Sequence, residues 1–250
     1  MSCSDDSFNT LTDQEYEKRI LEEATILNTT LTKTEIKERI DELRKYSDMN
    51  RFDDDISNFV FEDSKKMPPL NSFLFIGSSS IRYWESLKED MAPFLVINRG
   101  FGGAHIAHVN KHFSNIVEPY MPKAIIFFCG SNDINALKNP MKVVEEFRDF
   151  YAKTQLAFED TKVFVISIKP SIARDHQRKK QNLWNEAVRR FAKNEENLVF
   201  IDIVPSMMTD GKANPVFFTE DGLHMNKKGY ALWTKIVKSI LKEHFEGETL

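Results

Sequence analysis

Phe73-Leu-Phe-Ile-Gly-Ser-Ser-Ser-Ile-Arg-Tyr-Trp84 is the stretch on which the reading of this chain turns. Phe73 to Ile76 are apolar without interruption and read as a short buried strand. Gly77 ends it, three serines follow, and Ile81, Tyr83 and Trp84 begin a helical turn. A serine at a sharp strand-to-helix turn sits at the carboxyl edge of a sheet, facing the backbone N–H groups of the helix start, and is well placed as a nucleophile. Three serines after a glycine are ordinarily only a loop or a helix cap. The chemistry therefore has to be decided by what the later loops carry.

Outward from this turn the chain alternates. Phe94–Ile97 reads as a second strand, followed by the glycine-rich turn Asn98-Arg-Gly-Phe-Gly-Gly103 and a helix near Ile106–Val117. Ala124–Cys129 is a third, fully apolar strand. Pro140 opens a long helix to Phe158, with Val143, Val144, Phe147 and Tyr151 on one face. Val163–Ser167 and Leu198–Ile203 are further strands, separated by a helix over Asn182–Phe191, and Asn226–Leu241 is the last helix. Continuous apolar strands between amphipathic helices indicate a parallel sheet covered on both faces. Right-handed crossovers make it a doubly wound α/β sandwich, whose functional loops lie at the carboxyl ends of the strands. Those ends carry Gly77-Ser-Ser79, Gly100-Phe-Gly-Gly103, Gly130-Ser-Asn-Asp133, Lys169-Pro-Ser171 and the loop to Asp221-Gly-Leu-His224.

Upstream, residues 1–50 are polar and punctuated as helices. Thr12-Asp-Gln-Glu15 and Thr32-Lys-Thr-Glu35 each match a capping box. Tyr16, Ile20, Ala24 and Leu27 follow the first at helical spacing, and Ile36, Ile40 and Leu43 the second. A helical hairpin is the simple reading, either packed as an ornament or serving as a lid or homo-oligomer contact. An acidic link, helical or extended, spans Phe52–Met67, and Pro68-Pro69 breaks it before the alternation begins near Leu70. We divide the chain into a helical extension, residues 1–50, and a main domain, residues 51–250.

Composition bounds the function. The chain has 250 residues, 41% hydrophobic and 29% charged, with a net charge of −4. That is an ordinary globular composition near the upper size for one core. No basic field favours nucleic acid or anionic lipid. No apolar run approaches the roughly 18 residues of a membrane helix, so no integral membrane segment is expected. The first seven residues lack the basic start and apolar core of a signal peptide, and a cytoplasmic location is expected. Of two cysteines, Cys3 lies in a polar terminus and Cys129 ends an apolar strand, which argues against a disulfide and makes Cys129 a small buried hydrophobe.

Asp221 stands three residues before His224, just ahead of a helix. At that spacing the carboxylate can bond one ring nitrogen, fix the tautomer and leave the other nitrogen as a base. No His or Cys cluster has metal-ligand spacing, and no cofactor is expected. His108 and His112, four apart on a helix, are read as a surface face. Acyl transfer also needs oxyanion donors. Gly103 can offer an unhindered N–H, Asn132 a side-chain amide, and Ser79 its own N–H.

Gly77-Ser-Ser79, Gly103, Gly130-Ser-Asn132-Asp133 and Asp221-Gly-Leu-His224 occur in an order and at strand ends that resemble the SGNH hydrolases, also called GDSL esterases/lipases. The resemblance runs from about Phe52 to Leu241. It implies a flavodoxin-like three-layer sandwich with a five-stranded parallel sheet, in agreement with the strand count. By it Ser79 is the nucleophile, His224 the base and Asp221 its orienter, with Ser79, Gly103 and Asn132 forming the oxyanion hole. Ser78 stands where the family name has Asp, and Ala104 follows Gly103 where many members carry Asp. Neither position supplies a catalytic atom. Ser78, Arg82, Trp84, Asp133 and Lys169 are expected to line the substrate. The nearest confusable class, the α/β-hydrolases, needs Gly-x-Ser-x-Gly, and Ile81 occupies its last position. The expected partner is a small-molecule ester with a short acyl group, such as an acetylated carbohydrate. A thioesterase, a lysophospholipase or a non-catalytic binding domain are the alternatives.

Overall fold

A computed structural model describes residues 11–245. Cys3 lies outside them. The chain divides into two compact units between Arg51 and Phe52.

The first unit contains helices α1, Asp13–Ile26, and α2, Lys33–Ser47. Both capping boxes form. Thr12 and Thr32 each accept the N–H of the glutamate three residues on, and Glu15 and Glu35 reach back to the threonine N–H at 2.8 and 2.7 Å. Arg44 near the end of α2 pairs with Asp13 at the start of α1, so the helices run antiparallel. Tyr16, Ile20, Ala24, Ile36, Ile40 and Leu43 are buried, whereas Leu27, expected on the same stripe, caps α1 and is exposed.

The second unit opens with α3, Asp53–Lys65, the helical of the two forms expected for this stretch. Two features draw it into the unit. Phe52 and Ile56, one turn apart, join the core, and Asp63 accepts hydrogen bonds from Arg99 Nη2 and Tyr120 Oη, both at 2.5 Å. Then come β1, Phe73–Gly77; α4, Ser79–Arg82; α5, Leu87–Met91; β2, Val96–Gly100; α6, Ile106–Lys111; α7, Phe113–Ile116; and β3, Ala124–Phe128. After these follow α8, Ser131–Asn135; α9, Pro140–Ala157; β4, Lys162–Ile166; α10, Arg178–Ala192; β5, Leu198–Ile201; a small antiparallel pair, β6, Met208–Thr209, and β7, Lys212–Ala213; and α11, Lys227–Phe245. The five main strands are all parallel, in the order β2-β1-β3-β4-β5.

Alternation along each strand builds three layers. Leu74, Ile76, Ile125, Phe127, Val163 and Val165 pack on one face with α3, α6, α7, α9 and α10. Phe73, Phe75, Ile126, Phe128, Phe164 and Ile166 face the other way, against α4, α5 and α11. Period-two side-chain direction on strands apolar throughout requires both faces to be covered. Each large side chain so buried is worth about 1.5–3 kcal/mol.

Several boundaries move from the sequence reading. β2 begins at Val96 and runs to Gly100, taking in residues read as a turn, because Phe73 pairs with Val96 and Gly77 with Gly100. The polar Arg99 is tolerated inside because Asp63 and Tyr120 neutralise and bind it. The helical turn expected from Ile81 through Trp84 ends at Arg82 in α4, and α5 starts afresh at Leu87, while the helix expected near Ile106–Val117 breaks at His112.

The chain leaves β1 for β2 at one edge and returns across β1 to β3. Crevices of open α/β sheets lie at such a reversal, outside the carboxyl ends of the strands. The exits of β1, β2 and β3 therefore surround one crevice.

Candidate active site

Ser79 is delivered by a turn that only glycine allows. Gly77 has φ +142°, and a Cβ there would stand 1.9 Å from the Phe128 carbonyl oxygen of β3. Ser78 follows in extended backbone as the N-cap of α4, and its own N–H donates to Phe128 O at 3.0 Å. Ser79 is then the first helical residue, where an N–H has no intrahelical acceptor. Tyr230 of α11 donates from Oη to the Ser80 carbonyl at 3.2 Å, so the helix after the His224 loop holds the serine helix from beneath.

Asp221 and His224 share one tight loop. Asp221 Oδ1 accepts the N–H groups of Leu223 and His224 at 2.8 and 2.9 Å and the Thr219 hydroxyl at 2.7 Å. Its Oδ2 lies 2.5 Å from His224 Nδ1. Partial burial opposes ionisation, but these donors and the imidazole outweigh it and hold the carboxyl well below the usual carboxylate range. An ionised carboxylate can only accept, so Nδ1 carries a proton, and in the neutral imidazole it is then Nε2 that has the lone pair. His224 Nε2 is 3.1 Å from Ser79 Oγ, across 145 residues of sequence. Tyr83 packs against the imidazole in a T-shaped pair, at 5.2 Å between centroids.

The exit of β4 braces that loop. Ile172 and Ala173 N–H both donate to the Gly222 carbonyl, at 2.9 and 3.1 Å, and Lys169 Nζ donates to the Leu223 carbonyl at 2.5 Å. Burial, with the Arg174 guanidinium nearby, pushes the Lys169 amine down to about 7.

Asn132 is joined to the residue that follows Gly103. Asn132, in the first turn of α8, donates from Nδ2 to the Ala104 carbonyl at 3.1 Å. That bond ties the β3 exit to the residue after Gly103, itself at φ +86°. Phe101 N–H donates to the Gly77 carbonyl at 3.0 Å and Asn98 Nδ2 to the Ile81 carbonyl at 2.7 Å, fastening the β2 exit to the serine turn. Asp133 is wholly buried, accepting Ile106 N–H at 3.3 Å and Lys138 Nζ at 2.8 Å. Burial works to raise its carboxyl, but Lys138, His105 and His108 prevail and keep it low. Lys138 also donates to Glu146 at 2.9 Å, whose carboxyl burial and Asp133 together push up to about 7.

Of the five residues expected to line the substrate, Arg82 alone is exposed. Its guanidinium lies 3.5 Å from Asp55. Trp84 is corrected to a core residue. It is 1% exposed, packs on Phe75, Tyr230 and Trp233, and donates to Asp90 at 2.7 Å. Ser78, Asp133 and Lys169 are likewise buried and bonded within the fold. His108 and His112, expected on the surface, are also buried, and His108 Nδ1 accepts the His105 N–H at 3.0 Å. Cys129 is buried as expected and donates to Ala104 O at 3.3 Å. Sequence reading missed Arg174 and Tyr83. Arg174 lies five residues past Lys169 on the same exit loop, and Tyr83 directly follows the short serine helix. Beside the imidazole opens a cleft of about 790 Å³, lined by Tyr83, Glu85, Asp221, His224, Asn226 and Tyr230 among others. Among the described residues no group of three or more His, Cys, Asp or Glu is disposed to hold a metal, and no helix is long and apolar enough to cross a membrane.

Residues 77–232 match the model of the GDSL-like lipase/acylhydrolase family. No curated protein shows significant similarity. Among solved structures, a GDSL-like lipase from Bacteroides thetaiotaomicron is similar at TM-score 0.66 and 19% identity, covering 76% of this chain and 98% of that one. A carbohydrate esterase family 3 protein from Talaromyces cellulolyticus is similar at TM-score 0.61 and 18% identity, covering 72% and 100%. An acetyl xylan esterase, AlAXEase, is similar at TM-score 0.58 and 19% identity, covering 68% and 99%.

Proposed function

We propose that this chain, which belongs to the GDSL-like lipase/acylhydrolase family, is a serine esterase acting on short acyl esters through Ser79, His224 and Asp221. One observation carries the reading. His224 stands between Asp221 Oδ2 at 2.5 Å and Ser79 Oγ at 3.1 Å, a nucleophile and base within reach and the base oriented by a third group.

In the first step Nε2 takes the Ser79 proton as Oγ bonds to the ester carbonyl carbon. The carbonyl oxygen gains negative charge and is met by the N–H groups of Ser79 and Gly103 and by the Asn132 amide. As the tetrahedral adduct collapses, the C–O bond to the alcohol breaks and Nε2 returns its proton to the leaving oxygen. Water then repeats the sequence on the acyl-serine, losing a proton to Nε2 and releasing the acid. Asp221 stays ionised and stabilises the transient imidazolium. The catalytic work is assigned to residues 51–250, with residues 1–50 as a separate helical extension.

An acetyl group on a polyhydroxylated alcohol is the favoured substrate. The cleft beside His224, lined by the base and not by Ser79, carries an exposed tyrosine with acidic neighbours, a surface that suits the hydrogen-bonding hydroxyls of the alcohol. Two structurally similar proteins bear the names carbohydrate esterase and acetyl xylan esterase. The test is turnover of p-nitrophenyl esters of increasing acyl length, with labelling of Ser79 by diethyl-p-nitrophenyl phosphate. Fastest turnover of the acetate with stoichiometric labelling is expected. Neither turnover nor labelling would leave a non-catalytic binding domain as the better account.

A further inference from the structure

Asn132 has a side chain whose two ends look alike in shape and opposite in chemistry. Only its Nδ2 end can serve an oxyanion, so something must fix the sense of the amide. Arg174 Nη1 lies 3.1 Å from Asn132 Oδ1 and 2.8 Å from Ser131 Oγ, in the first turn of the same helix. A guanidinium has donors and no acceptor. Facing Oδ1 it makes a charge-assisted bond, whereas facing Nδ2 it would set donor against donor. On the other side the Ala104 carbonyl, an acceptor only, takes one of the two Nδ2 hydrogens at 3.1 Å. Donor on one flank and acceptor on the other admit a single orientation of the amide, and the bond to Ala104 uses one of the two Nδ2 hydrogens.

Arg174 is itself held in place. It continues the β4 exit segment whose Ile172 and Ala173 N–H groups are fastened to Gly222 O in the His224 loop. The same short segment therefore meets the base loop at one end and the oxyanion side at the other. We infer that Arg174 is a positioning residue for ester hydrolysis, setting the sense and place of the Asn132 amide so that its free N–H meets the developing oxyanion. The inference rests on the proposed oxyanion role of Asn132.

The test compares Arg174→Met, Arg174→Lys, Asn132→Ala and the double variant Arg174→Met/Asn132→Ala on p-nitrophenyl acetate. Loss of a whole oxyanion donor costs about 10²–10³ in kcat, so Arg174→Met, which leaves the amide present and held only at its Ala104 flank, is expected to cost about tenfold to 10² with KM unchanged. Arg174→Lys, still a donor only, is expected to recover part of that loss. In the Asn132→Ala background Arg174→Met is expected to change kcat by less than about twofold, because the group it acts through is gone. The full loss recurring in that background, or a loss confined to KM, would overturn the inference. A second readout needs no turnover. The Asn132 side-chain amide signals, identified by their disappearance in Asn132→Ala, are expected to shift and exchange faster with water in Arg174→Met. If they stay unchanged the inference is wrong, whether or not any ester is hydrolysed. If the wild type hydrolyses no ester while the amide signals move, the esterase reading fails and the positioning of Asn132 by Arg174 stands.

Discussion

Lys169 Nζ donates to the Leu223 carbonyl at 2.5 Å, from a buried position beneath the loop that carries Asp221 and His224. An amine placed there serves the loop and not the solvent. Phe218 lies under it, at 5.3 Å from the ring centroid.

That burial has a consequence for stability against pH. The Lys169 amine is pushed down to about 7 in the fold, against roughly 10.4 in an unfolded chain. Between these values the unfolded state binds the extra proton, so stability rises with pH through that window, by at most about 1.4 kcal/mol per unit. Lys169→Met removes the titration. The difference in unfolding free energy, wild type minus Lys169→Met, should therefore grow from pH 7 to pH 10 in urea melts. A flat difference would mean that the amine stays charged in place.

The serine turn makes a sharper claim about register. Ser79→Ala should lower kcat by about 10⁴ or more, as loss of a nucleophile does in serine hydrolases. Ser80→Ala should be mild, because Ser80 contributes its carbonyl to Tyr230 and that group survives the substitution. Steady-state kinetics on both variants decides the matter. Loss in Ser80→Ala without loss in Ser79→Ala would move the nucleophile by one residue.

Why that turn was legible, and its partners less so, is a matter of range. A strand stopped by glycine, a capping box and an Asp-x-x-His turn are each written within a few residues, and local hydrogen bonds realise them. Their order along the chain then places the strand exits together. Burial of one residue by another far away is not written locally. Trp84 reads as a ring beside the serines, yet α4 turns it inward onto Trp233, 149 positions on by residue number. Arg99 reads as a turn residue until Asp63, 36 residues earlier, is found holding it inside a strand. Arg174 meets Asn132 across 42 residues, and nothing near either one announces the bond.

Asp221 offers a test of orientation apart from charge. Asp221→Asn keeps the shape of the loop but can present an N–H where Nδ1 expects an acceptor, favouring the wrong tautomer. A loss of up to about 10⁴ in kcat with the fold retained is expected. The carboxyl is held below its ordinary range by the Leu223, His224 and Thr219 donors, so it adds no inflection of its own to the wild-type activity profile above about pH 5. A second inflection there, absent in Asp221→Asn, would show that the carboxyl titrates higher than its donors imply.

Asp133 separates support from contact most cleanly, since it neighbours Asn132 in sequence and yet meets no solvent. Its carboxylate takes the Ile106 N–H at the start of α6 and the Lys138 ammonium, which Glu146 shares. Asp133→Ala strips the buried anion from a group of three charges whose other two members are half-buried, and leaves the Ile106 N–H without its acceptor. Breaking a buried pair by removing one partner typically costs about 3–5 kcal/mol, and Glu146 keeps part of the compensation, so the lower end is expected. Thermal unfolding should show a large fall in midpoint. At temperatures where the variant remains folded, KM for p-nitrophenyl acetate should change little, because the missing group never touched the ester. A normal midpoint combined with a raised KM would return Asp133 to the substrate side of the crevice, and with it the reading of the loop as a binding surface.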